Sequence, residues 1–173
     1  MQPFSGVKVI VTQIGAIMGQ FSKSLATYTP LFINLVQLAA TGASILVLTH
    51  FGRRTILLFG NFGTAACSFI VGCFFLSVYM TGNNELVIGS VTFIILFMVI
   101  YGSTIGPAVW LYVPEIIPPK VVPPATSMNW LGVAFSVMVT PIIINTVGSP
   151  YPVFFFFAGI SFVFFVINYF LVI

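Results

Sequence analysis

The chemistry open to this chain is limited by how few of its residues can carry charge or exchange a proton. Its 173 residues include five Lys or Arg, two acids, Glu85 and Glu115, and one histidine, His50. One histidine and two carboxylates cannot supply a catalytic triad or a metal cluster. Cys67 and Cys73 share one predicted helix and have no C-x-x-C pattern, which is typical of inert core thiols. We therefore expect no enzymatic activity, no metal and no cofactor.

The composition is that of a protein dissolved in lipid. Hydrophobic residues make up 60% of the chain, and the mean hydropathy is +1.19. No soluble domain of this size can hide so much apolar surface. The pI near 9.1 reflects basic residues that are spread along the chain and form no patch for nucleic acid. The sequence therefore predicts an integral, multi-pass membrane protein whose main partner is the bilayer.

The apolar runs define the elements. A helix that crosses a bilayer needs about 20 apolar residues, and the runs do not alternate in polarity as barrel strands would. We expect an all-α bundle of six transmembrane helices in a single domain, residues 1–173, with helices at about 4–20, 28–49, 55–80, 87–113, 125–146 and 152–173. Arg53, Arg54 and Lys120 share one side and Lys23 has the other, so the positive-inside rule places the first group in the cytoplasm or its equivalent.

Polar residues inside the spans carry the functional signal. On the second span a polar stripe recurs at helical spacing; its members are Thr27, Asn34, Gln37, Thr41 and Ser44. Such a stripe turns away from lipid, either to hydrogen-bond other helices or to line a substrate path. On the third span small residues recur every four positions, at Gly60, Thr64, Ser68 and Gly72, which favours close helix packing.

Lys8 is the one charged residue expected within a span, and no acid lies in any span. It must reach an interface, contact water or pair with another chain. We expect its partner to come from outside this chain, which makes Lys8 a candidate partner contact.

The fourth span is interrupted by Gly102-Ser103-Thr104-Ile105-Gly106-Pro107. Pro107 removes a helical hydrogen bond, and helices broken at membrane depth are tolerated where they line a cavity. We therefore predict a helix break at Gly106 and Pro107.

Four motifs in order resemble the C-terminal half, helices seven to twelve, of the sugar porter family of the major facilitator superfamily. They are Gln2-Pro3-Phe4-Ser5-Gly6-Val7-Lys8, Gly52-Arg53-Arg54, the Gly106 to Glu115 stretch with Pro107 and Trp110, and Asn129-Trp130. The resemblance implies sugar contacts by Gln2, Gln37, Trp110, Asn129 and Trp130. It also implies a cytoplasmic ion-pair network of Arg53, Arg54 and Glu115.

The chain departs from the family pattern at several positions. Pro3 replaces a second glutamine, Lys8 replaces a neutral amide, and Thr49-His50 stands where an acid is usual. These departures favour a transporter-derived structural subunit of a larger membrane complex, without autonomous transport, in an organellar inner membrane if it is an accessory subunit. The alternative is the C-terminal half of a working sugar transporter, which would bind sugar only when the other half is present.

Overall fold

The computed structural model describes residues 5–19, 23–82, 85–116 and 118–171, and in these ranges all regular structure is helical. The helices are α1 (Val7–Gly19), α2 (Lys23–His50), α3 (Arg53–Thr81), α4 (Leu86–Ser103), α5 (Ile105–Ile116), α6 (Val122–Val147) and α7 (Tyr151–Leu171). Five spans are long and apolar enough to cross a membrane, with α4 and α5 together forming one of them, and α1 is a shorter apolar helix. The predicted all-α membrane bundle is confirmed.

The break in the fourth span lies at Thr104, between α4 and α5. Thr104 has φ −120° and ψ −85°, outside the helical region. Pro107 cannot donate to the carbonyl of Ser103, and its ring clashes with that carbonyl in a regular helix. The chain therefore leaves helical geometry just before Pro107. Gly106 and Pro107, predicted at the break itself, lie in the first turn of α5, where proline is tolerated.

The second span begins earlier than its apolar run suggested. Helix α2 starts at Lys23, and Pro30 lies inside it. Proline in a membrane helix is tolerated where a neighbouring helix packs against the interruption. That neighbour is α1: a Cβ on Gly15 would lie 3.3 Å from Cγ of Pro30 and 3.5 Å from the carbonyl oxygen of Ala26.

The core lies where α1, α3, α4 and α7 meet. Ile14, Phe75, Ile94 and Phe97 are almost fully buried in one hydrophobic cluster. Helices α3 and α7 are also joined by ring contacts, which pair Phe62 with Phe165, Phe69 with Phe155, Phe75 with Phe154 and Tyr79 with Tyr151. By contrast, α2 and α6 present large apolar side chains at the surface, among them Leu38 and Met138.

The small residues of α3 let neighbouring helices pack closely against it, as their spacing predicted. Thr64 and Ser68 are buried. A Cβ on Gly72 would lie 3.1 Å from the ring of Phe155 on α7. A Cβ on Gly60 would lie 2.6 Å from Oγ1 of Thr104 and 2.7 Å from Cγ1 of Ile105. Gly60 therefore allows α3 to press directly against the helix break.

We predict that Gly60→Ala destabilises the bundle although alanine is the better helix former. Overpacking costs about 1–3 kcal/mol, which exceeds the roughly 1 kcal/mol of helix propensity gained. The matched control is Gly159→Ala in α7, where a Cβ would meet nothing within 4 Å. Thermal unfolding in detergent should show a lower midpoint for Gly60→Ala and an unchanged or higher midpoint for Gly159→Ala. Equal midpoints for both variants would contradict this packing.

Candidate functional site

A cavity of about 250 Å³ opens between α1, α2 and the α4–α5 break. Its lining residues are Val7, Lys8, Gln37, Thr41, Tyr101, Gly102, Gly106, Pro107 and Trp110. The wall thus contains an ammonium, an amide, two hydroxyl groups and an indole. This is a mixed polar and aromatic lining within spans that are otherwise apolar.

Glycines around the break bring these side chains together. A Cβ on Gly102 would lie 3.0 Å from Cβ of Ala40 and 3.5 Å from the carbonyl oxygen of Gln37. The absence of that Cβ lets α4 contact the backbone of α2 beside the cavity. A Cβ on Gly106 would lie 3.3 Å from the ring and the carbonyl oxygen of Tyr101. These close contacts surround the cavity that Gln37 and Trp110 line.

The residues of the polar stripe of α2 lie in different environments. Gln37 and Thr41 line the cavity, and Oγ1 of Thr41 also donates to the carbonyl oxygen of Gln37 at 2.9 Å. Ser44 is buried and donates to the carbonyl oxygen of Thr41 at 2.6 Å. Thr27 and Asn34 are exposed on the surface of the bundle. Ser44 thus bonds within its own helix, while Gln37 and Thr41 line a cavity. The two alternatives left by the sequence, hydrogen bonds to other helices and a substrate path, stay predictions.

Lys8 contacts an aromatic ring inside the chain, and the partner expected from outside the chain stays a prediction. Its Nζ lies 5.8 Å from the ring centroid of Trp130 on α6, within range of a cation–π interaction. Such a contact contributes about 0.5–2 kcal/mol, whereas a lysine at membrane depth costs about 2.5–3.5 kcal/mol on insertion scales. The ring offsets part of this cost. The rest is left for a further contact, from a group in the adjoining cavity or from outside the chain.

The other residues predicted to contact sugar do not all line the cavity. Trp130 is exposed and reaches the site through Lys8. Asn129 is half-buried and interacts with a neighbouring group. Gln2 lies outside the described residues.

Tyr101 was missed by sequence reasoning. It lines the cavity and stacks on Phe97, with ring centroids 6.3 Å apart, and its only sequence signal was its place just before the interrupted stretch.

At the N-terminal end of α3, Arg54 joins α3 to α7. Its Nη2 donates to the carbonyl oxygen of Tyr169 at 3.1 Å. Tyr169 is in the last turn of α7, where free carbonyls favour a cation. Glu115 is exposed near the end of α5 and interacts with a neighbouring group. The side chain of Arg53 is outside the described part of the chain, so the ion-pair network stays a prediction.

Comparison with known proteins agrees with this architecture. The family model described as "Sugar (and other) transporter" matches residues 1–173. Hexose transporter 1 of Plasmodium vivax is 27% identical over 178 residues, which covers 99% of this chain and 35% of that protein. Hexose transporter 1 of Toxoplasma gondii is 27% identical over 139 residues, or 76% of this chain and 24% of that protein. D-xylose-proton symporter-like 1 of Arabidopsis thaliana is 34% identical over 95 residues, or 55% of this chain and 18% of that protein.

The chain belongs to the sugar transporter family of the major facilitator superfamily, because the family model covers its whole length. It is an integral, multi-pass membrane protein. It spans about a third of the length of the Plasmodium relative.

Because Arg54 donates a hydrogen bond to Tyr169, we expect Arg53 and Arg54 to have different roles. We predict that Arg54→Gln and Glu115→Gln have additive effects on stability, with a coupling below about 0.5 kcal/mol, because Arg54 binds the end of α7. We predict that Arg53→Gln and Glu115→Gln are coupled by up to about 1 kcal/mol, the range of an exposed ion pair. Double-mutant cycles from unfolding in detergent measure both values. A larger coupling for Arg54 than for Arg53 would refute this division.

Proposed function

We propose that this chain supplies one wall of the substrate cavity of a sugar transporter and works with a second six-helix bundle by alternating access. The observation that carries the proposal is the convergence of Gln37, Thr41 and Trp110 on one cavity beside a broken helix. Amides and hydroxyls both donate and accept hydrogen bonds, as sugar hydroxyls require. An indole offers a flat apolar face for a sugar ring. Broken helices at membrane depth form the substrate sites of many transporters.

The surfaces of α2 and α6 support the need for a second bundle. Only 17% of the most apolar stretch of each helix is buried, against 44% for α3. Both helices lie next to the site. Gln37 of α2 lines the cavity, and Trp130 of α6 contacts Lys8, another lining residue. In alternating access, one bundle rocks against another around a shared site. The exposed faces of α2 and α6 are where such a bundle would complete the cavity.

A structural subunit of a larger membrane complex is the second candidate. It was favoured by the departures from the family motifs and by a lysine without a partner. Lys8 now faces Trp130, whereas the other departures remain. In this case the cavity would be a remnant that binds no sugar.

Uptake of radiolabelled glucose by proteoliposomes discriminates the candidates. The 173-residue chain alone should give no saturable uptake, because its cavity has only one wall. The chain together with the N-terminal six-helix half of a sugar transporter should give saturable uptake that Trp110→Ala lowers about tenfold or more, equivalent to about 1.4 kcal/mol.

The matched control is Phe59→Ala, an exposed aromatic residue of α3 that does not line the cavity. It should leave uptake near the unmodified level. Saturable uptake by the chain alone would contradict the need for a second wall. A paired system that assembles, yet transports nothing, would favour the structural subunit.

A further inference from the structure

We propose that the cavity between α1, α2 and α5 selects a sugar that carries a carboxylate, such as a hexuronate, over a neutral hexose. This inference rests on the proposed function and names the class of substrate for the same site. The resemblance alone would predict a neutral sugar, because the family has an amide where this chain has Lys8. The positive charge of Lys8 in the cavity lining favours an acidic sugar instead.

The cavity holds one cation and no described anion. Lys8 is among its lining residues, and none of the others is Asp or Glu. The whole chain has only two acids. Glu85 precedes α4 at the end of that helix far from the break, and Glu115 is exposed five residues beyond Trp110. Among the described residues, the charged group of Lys8 is matched only by the ring of Trp130.

The helix ends at the break do not change this balance. The first turn of α5 would favour an anion through its positive end, but the negative end of α4 lies one residue away. The two partial charges largely cancel. The sign of the potential in the cavity is therefore set by the ammonium of Lys8.

The hydrogen-bonding capacity of lysine points to the same ligand. An ammonium group has three donors and no acceptor, whereas an amide both donates and accepts. A carboxylate only accepts, so it matches the ammonium in charge and in hydrogen bonding. A neutral hydroxyl can accept from Lys8 but leaves its charge uncompensated. Gln37 and Thr41 remain available for the hydroxyls of the same sugar, and Trp110 for its ring face.

Tryptophan fluorescence tests this proposal without any transport assay. The chain has two tryptophans. Trp130→Phe leaves Trp110 as the single reporter in the cavity and keeps an aromatic ring for Lys8. In this background, co-purified in detergent with a tryptophan-free N-terminal six-helix half of a sugar transporter, at pH 7 and constant ionic strength, emission is titrated with D-glucuronate, D-glucose and acetate. We expect glucuronate to change the emission with a dissociation constant at least tenfold lower than that of glucose or acetate.

The position of the charge is tested by matched variants. Lys8→Gln, which restores the neutral amide, should abolish the preference for glucuronate, and Lys8→Arg should retain it. Lys23→Gln removes a lysine that does not line the cavity and should leave the preference unchanged. Circular dichroism and size-exclusion elution establish that each variant is folded.

Three results would overturn the inference. Binding of glucose as tight as that of glucuronate would leave the proposed sugar site standing but would remove its selectivity for an acid. Equal responses to acetate and glucuronate would show attraction of any anion and no recognition of a sugar. No response to any ligand would mean that Lys8 attracts no anion to this cavity, and the proposed function would then be decided by the uptake assay alone.

Discussion

The close approach of three helices around the break at Thr104 is the constraint on which the rest of the structure depends. Gly60 lets α3 contact the side chains of Thr104 and Ile105, and Gly102 lets α4 contact α2 beside Gln37. A Cβ at Gly60 would push the broken helix outward, whereas a Cβ at Gly102 would require only a small separation of α4 from α2. Because the break fixes where α5 begins, it also fixes the position of Trp110 in the cavity. Packing in the core and composition of the site are therefore set by the same few contacts.

Much of the fold could be predicted from sequence because lipid imposes simple rules. A span must be long and apolar, so the runs marked the helices to within a few residues, except that α2 begins earlier, at Lys23. The small stripe of α3 had one physical use, close packing, and it packs as expected. The break could be predicted to lie near Pro107, but not at Thr104, because a proline disturbs the carbonyl four residues earlier as well as its own position.

The site could be predicted only where its signal was local. Gln37 belongs to the polar stripe of α2 and Trp110 to a family motif, and both line the cavity. The contact between Lys8 and Trp130 joins α1 to α6 and has no signature in either helix alone. The bond from Arg54 to the backbone of Tyr169 is equally invisible, because any residue could supply that carbonyl. Long-range contacts of this kind gave Lys8 and Arg54 interactions that their motifs did not suggest.

The contact between α2 and α4 can be measured directly by a disulfide in a background without Cys67 and Cys73. A Cβ at Gly102 would lie 3.0 Å from Cβ of Ala40, so the two helices need to separate only slightly to reach the 3.5–4.5 Å or so that a disulfide requires. After oxidation of the Ala40→Cys, Gly102→Cys variant, trypsin cleavage at Arg53 and Arg54 should leave the fragments joined on a non-reducing gel. Ala39→Cys, on the adjacent exposed position, should not cross-link to Gly102→Cys. Cross-linking from position 39 but not from position 40 would contradict the packing that forms the cavity.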